Sequence, residues 1–250
     1  MTTANQSVIQ ESVSCLCLKV KKERSENMKY RHEWKHEISY SDMLAVRQRL
    51  LVVAKRDIHT TEGKYLIRSL YFDNASDKVL REKLDGVNIR EKFRIRFYNN
   101  DTSVIYLEKK SKVNGLCLKE KAKLTKEQAQ AIVDGKYDWM MQIGIPLMEE
   151  LYSKIKGQGL RPKTIVDYTR EPFVFAPGNV RVTIDYNIHT GLQCTDFLNS
   201  ECITVPVDGY PIILEVKWDA YLPDIIRDVV QLKNCRVESF SKYAVCRIYG

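Results

Sequence analysis

The chain has 250 residues, 44% of them hydrophobic and 29% charged, with a formal net charge of +8. That apolar content suits one large domain or two small ones, and the excess of Lys and Arg points to an anionic partner, although 32 acidic residues exclude a plain polycationic tail. Seven cysteines without a CxxC pair exclude zinc spacing and a disulfide framework. No apolar run reaches about 18 residues and the polar first ten residues make no secretory signal, so a cytoplasmic protein without membrane insertion is expected.

Residues 1–27 lack periodicity and are expected to form a flexible arm ahead of one domain over residues 28–250. Residues 30–38 alternate as a strand. Ser41 is placed to cap a helix over residues 42–55. A strand at 65–73 is followed by a short helix at 74–85, ending before Gly86. Strands at 89–98 and 104–110 flank Asn99-Asn100-Asp101, a hairpin turn by composition. A strand at 116–124 leads to a capped helix at 125–133 and a helix at 140–156. Strands at 163–169, 173–175, 180–188 and 212–218 come next. A helix at 221–232 with Pro223 in its first turn follows, then a terminal strand or helix-to-strand segment at 239–249. About eight meandering strands with a few helices predict an α+β fold, a closed antiparallel β-barrel with helices packed outside.

Side chains alternate across a strand, and here the non-apolar face is almost wholly charged. Arg94 and Arg96 oppose Phe93, Ile95 and Phe97; Glu108 and Lys110 oppose Ile105 and Leu107. Arg181, Thr183 and Asp185 share a face, as do Glu215 and Lys217, Arg31, Glu33 and Lys35, and Lys119, Lys121 and Lys123. An ordinary wet face mixes in Ser, Thr, Gln and Asn. Rows this charged predict a lumen lined by cations, with Glu33, Glu108, Asp185 and Glu215 offsetting their repulsion or holding Mg²⁺ or Mn²⁺. Arg forks match phosphoryl oxygens, and neither GxxxxGK[ST] nor GxGxxG occurs, so side chains rather than a backbone cradle would bind a linear phosphate chain. His32 and His36 fall on the face opposite Glu33 and Lys35 and read as structural. A non-enzymatic polyphosphate-binding or nucleic-acid-binding module is a further alternative. Without an RNP-type or helix-turn-helix signature, and with carboxylates among the cations, nucleic acid is not the expected partner.

The motifs SLYFDN (69–74), Arg94-x-Arg96, LEKK (107–110), Tyr168-Thr169-Arg170, VRVTID (180–185), LEVKW (214–218) and Ser241-Lys242-Tyr243 occur in the order of the vacuolar transporter chaperone (VTC) domain, which the chain resembles over residues 28–250. That domain belongs to the triphosphate tunnel metalloenzymes, related to the CYTH proteins. The resemblance implies a polyphosphate polymerase that moves the γ-phosphoryl group of ATP onto an inorganic polyphosphate chain, with Mn²⁺ or Mg²⁺. By motif, Lys35, Arg94, Arg96, Lys110, Arg170, Arg181 and Lys217 would line the tunnel as catalytic residues, with Lys119, Lys121 and Lys242 binding substrate. Glu215 matches the family's metal-binding glutamate, and Glu33 and Glu108 are further metal candidates. The acceptor is a phosphate oxygen, so no covalent nucleophile is expected. Hydrolytic tunnel enzymes open with ExExK, whereas this chain has Arg31-x-Glu33-x-Lys35. The change favours polymerase over the alternative, a phosphohydrolase of inorganic triphosphate, thiamine triphosphate or an RNA 5′-triphosphate. Larger eukaryotic relatives carry an SPX domain and membrane helices; neither is expected here, so product translocation would need a separate membrane partner.

Overall fold

Strands form where β-branched and aromatic residues alternate with charged ones. A computed structural model describes residues 30–232 and 239–248; the arm expected at residues 1–27 lies outside them. From Arg31 onward the strands are β1 (His32–Ile38), β2 (Lys55–Arg56), β3 (Tyr65–Asp73), β4 (Ile89–Tyr98), β5 (Asp101–Val113), β6 (Leu116–Leu124), β7 (Arg161–Phe175), β8 (Val180–Thr190), β9 (Val205–Pro206) and β10 (Ile212–Trp218). They make one antiparallel sheet in the order β1-β10-β8-β7-β3-β4-β5-β6, with β2 on β7 and β9 on β8. Asn99 and Asn100, at φ 51° and 58°, make the tight turn between β4 and β5, the left-handed pair that a two-residue hairpin requires. The described residues also form six α-helices: α1 (Tyr40–Val53), α2 (Lys78–Leu84), α3 (Lys126–Val133), α4 (Pro146–Gln158), α5 (Asp224–Val230) and α6 (Lys242–Arg247). None is long and apolar enough to cross a membrane.

Several boundaries differ from expectation for identifiable reasons. Ser39, not Ser41, caps α1, through a reciprocal box in which the Ser39 hydroxyl accepts from Asp42 N at 3.1 Å. Asn74 starts no helix, because its side chain accepts from Ser76 N and Lys78 N at 3.0 Å and holds a turn. The helix expected at 140–156 is broken: a 3₁₀ turn (Asp138–Met141) precedes Gly144 at φ 69°, and α4 restarts with Pro146 at its first position. The two strands expected at 163–169 and 173–175 are one, β7, whose pairing with β8 shifts register between Asp167 and Thr169. Pro223 stands ahead of α5 rather than inside it, and the terminal segment is helical, capped by Ser241.

The two faces separate as the alternation predicts. Phe93, Ile95, Phe97, Ile105 and Leu107 lie under α3 and α4, packed with Ala129, Ile132, Leu147, Met148 and Leu151. On the other half, Val180, Val182, Ile184, Leu214 and Val216 lie under α1 and α5 with Met43, Val46, Leu50 and Ile226. His32 stacks on Trp218 at 5.3 Å, in keeping with a structural role. Helix α6 packs on the opposite side of the sheet, where Tyr243 joins Tyr65, Tyr71 and Tyr168.

The closed barrel is not formed as a continuous ladder. The edges β1 and β6 are linked at one bridge, where Arg31 and Cys117 exchange two backbone hydrogen bonds of 3.1 and 3.3 Å. Arg31 precedes the first residue of β1 and Cys117 is the second of β6, so only the ends of these strands meet. Alternation says which face a side chain takes; it carries no information on whether the first and last strands pair.

Candidate functional site

Cross-strand register brings the charged rows together. Glu33 stands opposite Lys217 and Lys35 opposite Glu215. Arg94 faces Glu108 and Arg170 faces Asp185. These opposite-charge pairs support their ladders. The same register also sets Lys92 against Lys110, Lys110 against Lys119 and Lys217 against Arg181. Like charges directly opposite destabilise a sheet, so these positions cost the fold stability.

One cluster spans β1, β10, β8 and β7. Lys217 Nζ lies 2.6 Å from Glu215 Oε1 and 3.3 Å from Glu33 Oε2, and Lys35 Nζ lies 2.6 Å from Glu33 Oε1. Burial alone would raise the Glu215 carboxyl, but Lys217 and Lys35 outweigh it and hold it well below the usual range. Glu33 is lowered against burial and the neighbouring Glu215, by the same two lysines. Arg170 donates from Nε and Nη2 to the Asp185 carboxylate at 2.6 and 2.7 Å. Lys242, delivered by α6, donates to Asp185 Oδ2 at 2.6 Å. Burial opposes ionisation of Asp185, and the two cations overcome it, lowering the carboxyl to about 2.

A second cluster spans β3 to β6. Arg94 donates from Nε and Nη2 to Glu108 Oε2 at 2.8 and 2.6 Å and from Nη1 to the Tyr71 hydroxyl at 2.7 Å. Arg96 donates to Ser69 Oγ and to the Tyr168 hydroxyl, each at 2.9 Å, and its Nη1 is 3.7 Å from Glu108 Oε2. Lys119 closes on the other Glu108 oxygen. Glu108 is 1% exposed; burial would raise it, but Arg94, Arg96 and Lys119 keep it well below the usual carboxylate range.

The clusters face each other. Lys110 of β5 is lowered well below an ordinary lysine by burial, then by Lys217 of β10 and Arg94 of β4. Lys92 of β4 is lowered to about 8 by burial and by Lys35 of β1 and Arg94, against the pull of Tyr71. Cations on strands remote in the sheet order thus lie near enough to perturb one another. Among the described residues neither lysine has an ion-pair partner.

Three predicted residues stand towards the margin, Lys119 being exposed although it reaches Glu108. Lys121 lies over the Tyr106 ring at 5.0 Å and is exposed. Arg181 is tied by Nη2 to Asp57 Oδ2 at 2.8 Å and the Tyr65 hydroxyl at 2.7 Å. Of the predicted metal candidates, Glu33 and Glu215 lie side by side, whereas Glu108 belongs to the other cluster. No three His, Cys, Asp or Glu side chains gather at one point among the described residues. Sequence reasoning passed over Lys92, although Arg90, Lys92, Arg94 and Arg96 continue one row. It gave no role to the Tyr71 and Tyr168 hydroxyls, or to Thr183. Thr183 is 4% exposed and faces Glu215 across the ladder; its hydroxyl has no hydrogen-bond partner among the described residues. Only the three-dimensional arrangement exposes that.

A comparison with curated proteins gives no match. Among solved structures, the PH1012 protein of Pyrococcus horikoshii aligns with a TM-score of 0.47 at 15% identity, covering 86% of this chain and 98% of that one. The PH1819 protein of the same organism aligns at 0.40 and 13% identity, covering 80% and 84%. A proposed adenylate cyclase of Bacillus halodurans aligns at 0.44 and 13% identity, covering 76% and 81%. Likeness at this level carries nothing about activity. The VTC domain profile, in contrast, matches residues 30–248. With the ordered motifs and the convergent basic rows on that same span, the chain belongs to the VTC domain family.

Proposed function

We propose that this protein is a polyphosphate polymerase, transferring the γ-phosphoryl group of ATP to the end of an inorganic polyphosphate chain held among the facing basic rows. The observation that carries this reading is the Lys92–Lys110 pair, directly opposed across β4 and β5 near Arg94, Lys35 and Lys217 and without a carboxylate partner among the described residues. Burying cations together is unfavourable unless an anion compensates them. A linear phosphate chain supplies charge along its length, and its oxygens suit both the Arg forks and the unpartnered Thr183 hydroxyl.

Phosphoryl transfer through a loose transition state asks for alignment and charge stabilisation rather than covalent help. Arg94 and Arg96, locked by Glu108, Ser69, Tyr71 and Tyr168, are rigid donors for the transferring group. Arg170 and Lys242, fixed by Asp185, hold the chain on the other wall, and Lys217 and Lys35 turn from carboxylate to phosphate as charge arrives. Glu33 and Glu215 fit a hard divalent ion. They are adjacent, and among the described residues Glu215 Oε1 lacks an aligned hydrogen bond although Lys217 Nζ is 2.6 Å away. Mg²⁺ or Mn²⁺ held there, with its other ligands from phosphate and water, would supply further charge neutralisation. Arg31, in place of the first carboxylate of ExExK, is paired with Asp219 at 2.9 Å. That supports a site without the hydrolytic two-carboxylate opening.

Incubation with ATP and Mn²⁺ tests the proposal. ADP release with lengthening polyphosphate on a gel is expected. Orthophosphate without polymer would mark a triphosphate phosphohydrolase, and neither product would leave a binding module.

A further inference from the structure

The connection between β8 and β9 carries two cysteines remote from the basic rows. The Sγ atoms of Cys194 and Cys202 lie 3.0 Å apart, eight residues apart in sequence, about 1 Å beyond a disulfide bond. Local turns fix both ends of this span. Cys194 N donates to Gly191 O at 2.8 Å and Cys202 N to Asn199 O at 3.3 Å. The span is also pinned to the sheet. Arg68 of β3, clamped by Asp167, donates to Asn199 O at 2.5 Å, and the buried Phe197 ring lies 4.8 Å from Phe97 of β4. Both cysteine backbones are therefore held by local hydrogen bonds while their sulfurs stand in contact. The other described thiols are placed elsewhere: Cys117 lies on β6, and Cys246 is buried in α6 with its Sγ 3.7 Å from His189 O.

We propose that Cys194 and Cys202 form a reversible dithiol–disulfide pair that glutathione disulfide oxidises, closing a covalent loop within the β8–β9 connection. The Cys194 thiolate attacks glutathione disulfide and expels one glutathione thiolate. The Cys202 thiolate then attacks Cys194 Sγ in the mixed disulfide and expels the second. Two cysteine S–H bonds and one S–S bond are lost and one S–S bond forms. Glutathione disulfide is reduced to two glutathione molecules, which carry the two protons. Burial and the neighbouring Cys194 push the Cys202 thiol up to about 12. The exchange can open at either sulfur, because the same two steps run with the roles of Cys194 and Cys202 reversed.

Reduced full-length protein is equilibrated with graded glutathione and glutathione disulfide, quenched by alkylation and peptide-mapped. A Cys194–Cys202 cross-link reversed by dithiothreitol is expected. It should raise Tm by about 5–10 °C, as a short closed loop in a domain of this size predicts, and the rise should be missing from Cys194→Ser and Cys202→Ser. Tripolyphosphate affinity should not change on oxidation, so this test stands apart from the proposed activity. Stable glutathione adducts without the cross-link, a bridge to any other cysteine, or an equal Tm rise in the serine variants would each overturn the proposal.

Discussion

Glu108→Gln should destabilise the protein and at the same time increase its response to polyphosphate. Glu108 is the buried counter-ion of Arg94, Arg96 and Lys119, and Arg94 and Arg96 are 5% and 2% exposed. Glutamine keeps the shape and one acceptor oxygen but removes the charge. Breaking a buried ion pair from one side costs about 3–5 kcal/mol. The retained acceptor puts this variant near about 3 kcal/mol, a fall in Tm of about 6–12 °C for a domain of this size. Tripolyphosphate then meets two guanidinium groups free of their carboxylate, so the ligand-induced rise in Tm should exceed that of the wild type. Thermal scans with and without tripolyphosphate read both effects. A Tm within about 2 °C of the wild type, or no greater ligand response, would refute the assignment of Glu108 as counter-ion to the anion-binding arginines.

Lys110→Ala should leave Tm unchanged or slightly raised, because the native site disfavours that charge, yet lower polymer synthesis at least about tenfold; an active Lys110→Ala enzyme would contradict the site. Lys92 is lowered to about 8, so its charge is largely present at pH 7 and lost by pH 9, and tripolyphosphate affinity should fall about tenfold across that window by linkage. Titration calorimetry should find the fall blunted in Lys92→Arg, whose charge persists and whose comparison cancels protonation of the ligand itself. Asp185 is lowered from 3.8 to about 2, so its contribution, about 2 kcal/mol, is present above its unfolded value and is lost as pH falls towards 2. Acid unfolding of Asp185→Asn should lack that dependence, and an unchanged acid limb would remove Arg170–Asp185 as a stabilising pair. Ile95→Glu places a carboxylate among Phe93, Phe97 and Leu107 and should prevent folding; soluble, folded Ile95→Glu protein would mean that the two sheet faces are assigned the wrong way round.

The period-2 pattern made the faces of β4, β5, β8 and β10 legible, because apolar and charged residues alternate there without interruption. It also located β3, β4, β6 and β10 to their observed bounds. What it missed depends on side-chain contacts that no period records. Asp73 accepts from Val79 N at 2.9 Å and from the Tyr243 hydroxyl at 2.6 Å, so one carboxylate sets both the start of α2 and the docking of α6. The arrival of Lys242 at Asp185 follows from that docking. The single bridge at Arg31 and Cys117 reflects how the strands diverge, which the order of strands in the chain does not contain. Lys92 lies outside the Arg94-x-Arg96 motif, and its importance comes from Lys35 and Lys110 approaching from other strands.

A crystal structure of the protein with tripolyphosphate tests the convergence of the basic rows most directly. The phosphate chain should lie between the β4–β5 and β8–β10 walls, with Arg94, Lys110, Arg170 and Lys217 on its oxygens and Lys92 turned towards it. Tripolyphosphate bound on the helix-covered side, or Lys110 and Lys217 pointing apart into solvent, would contradict the account.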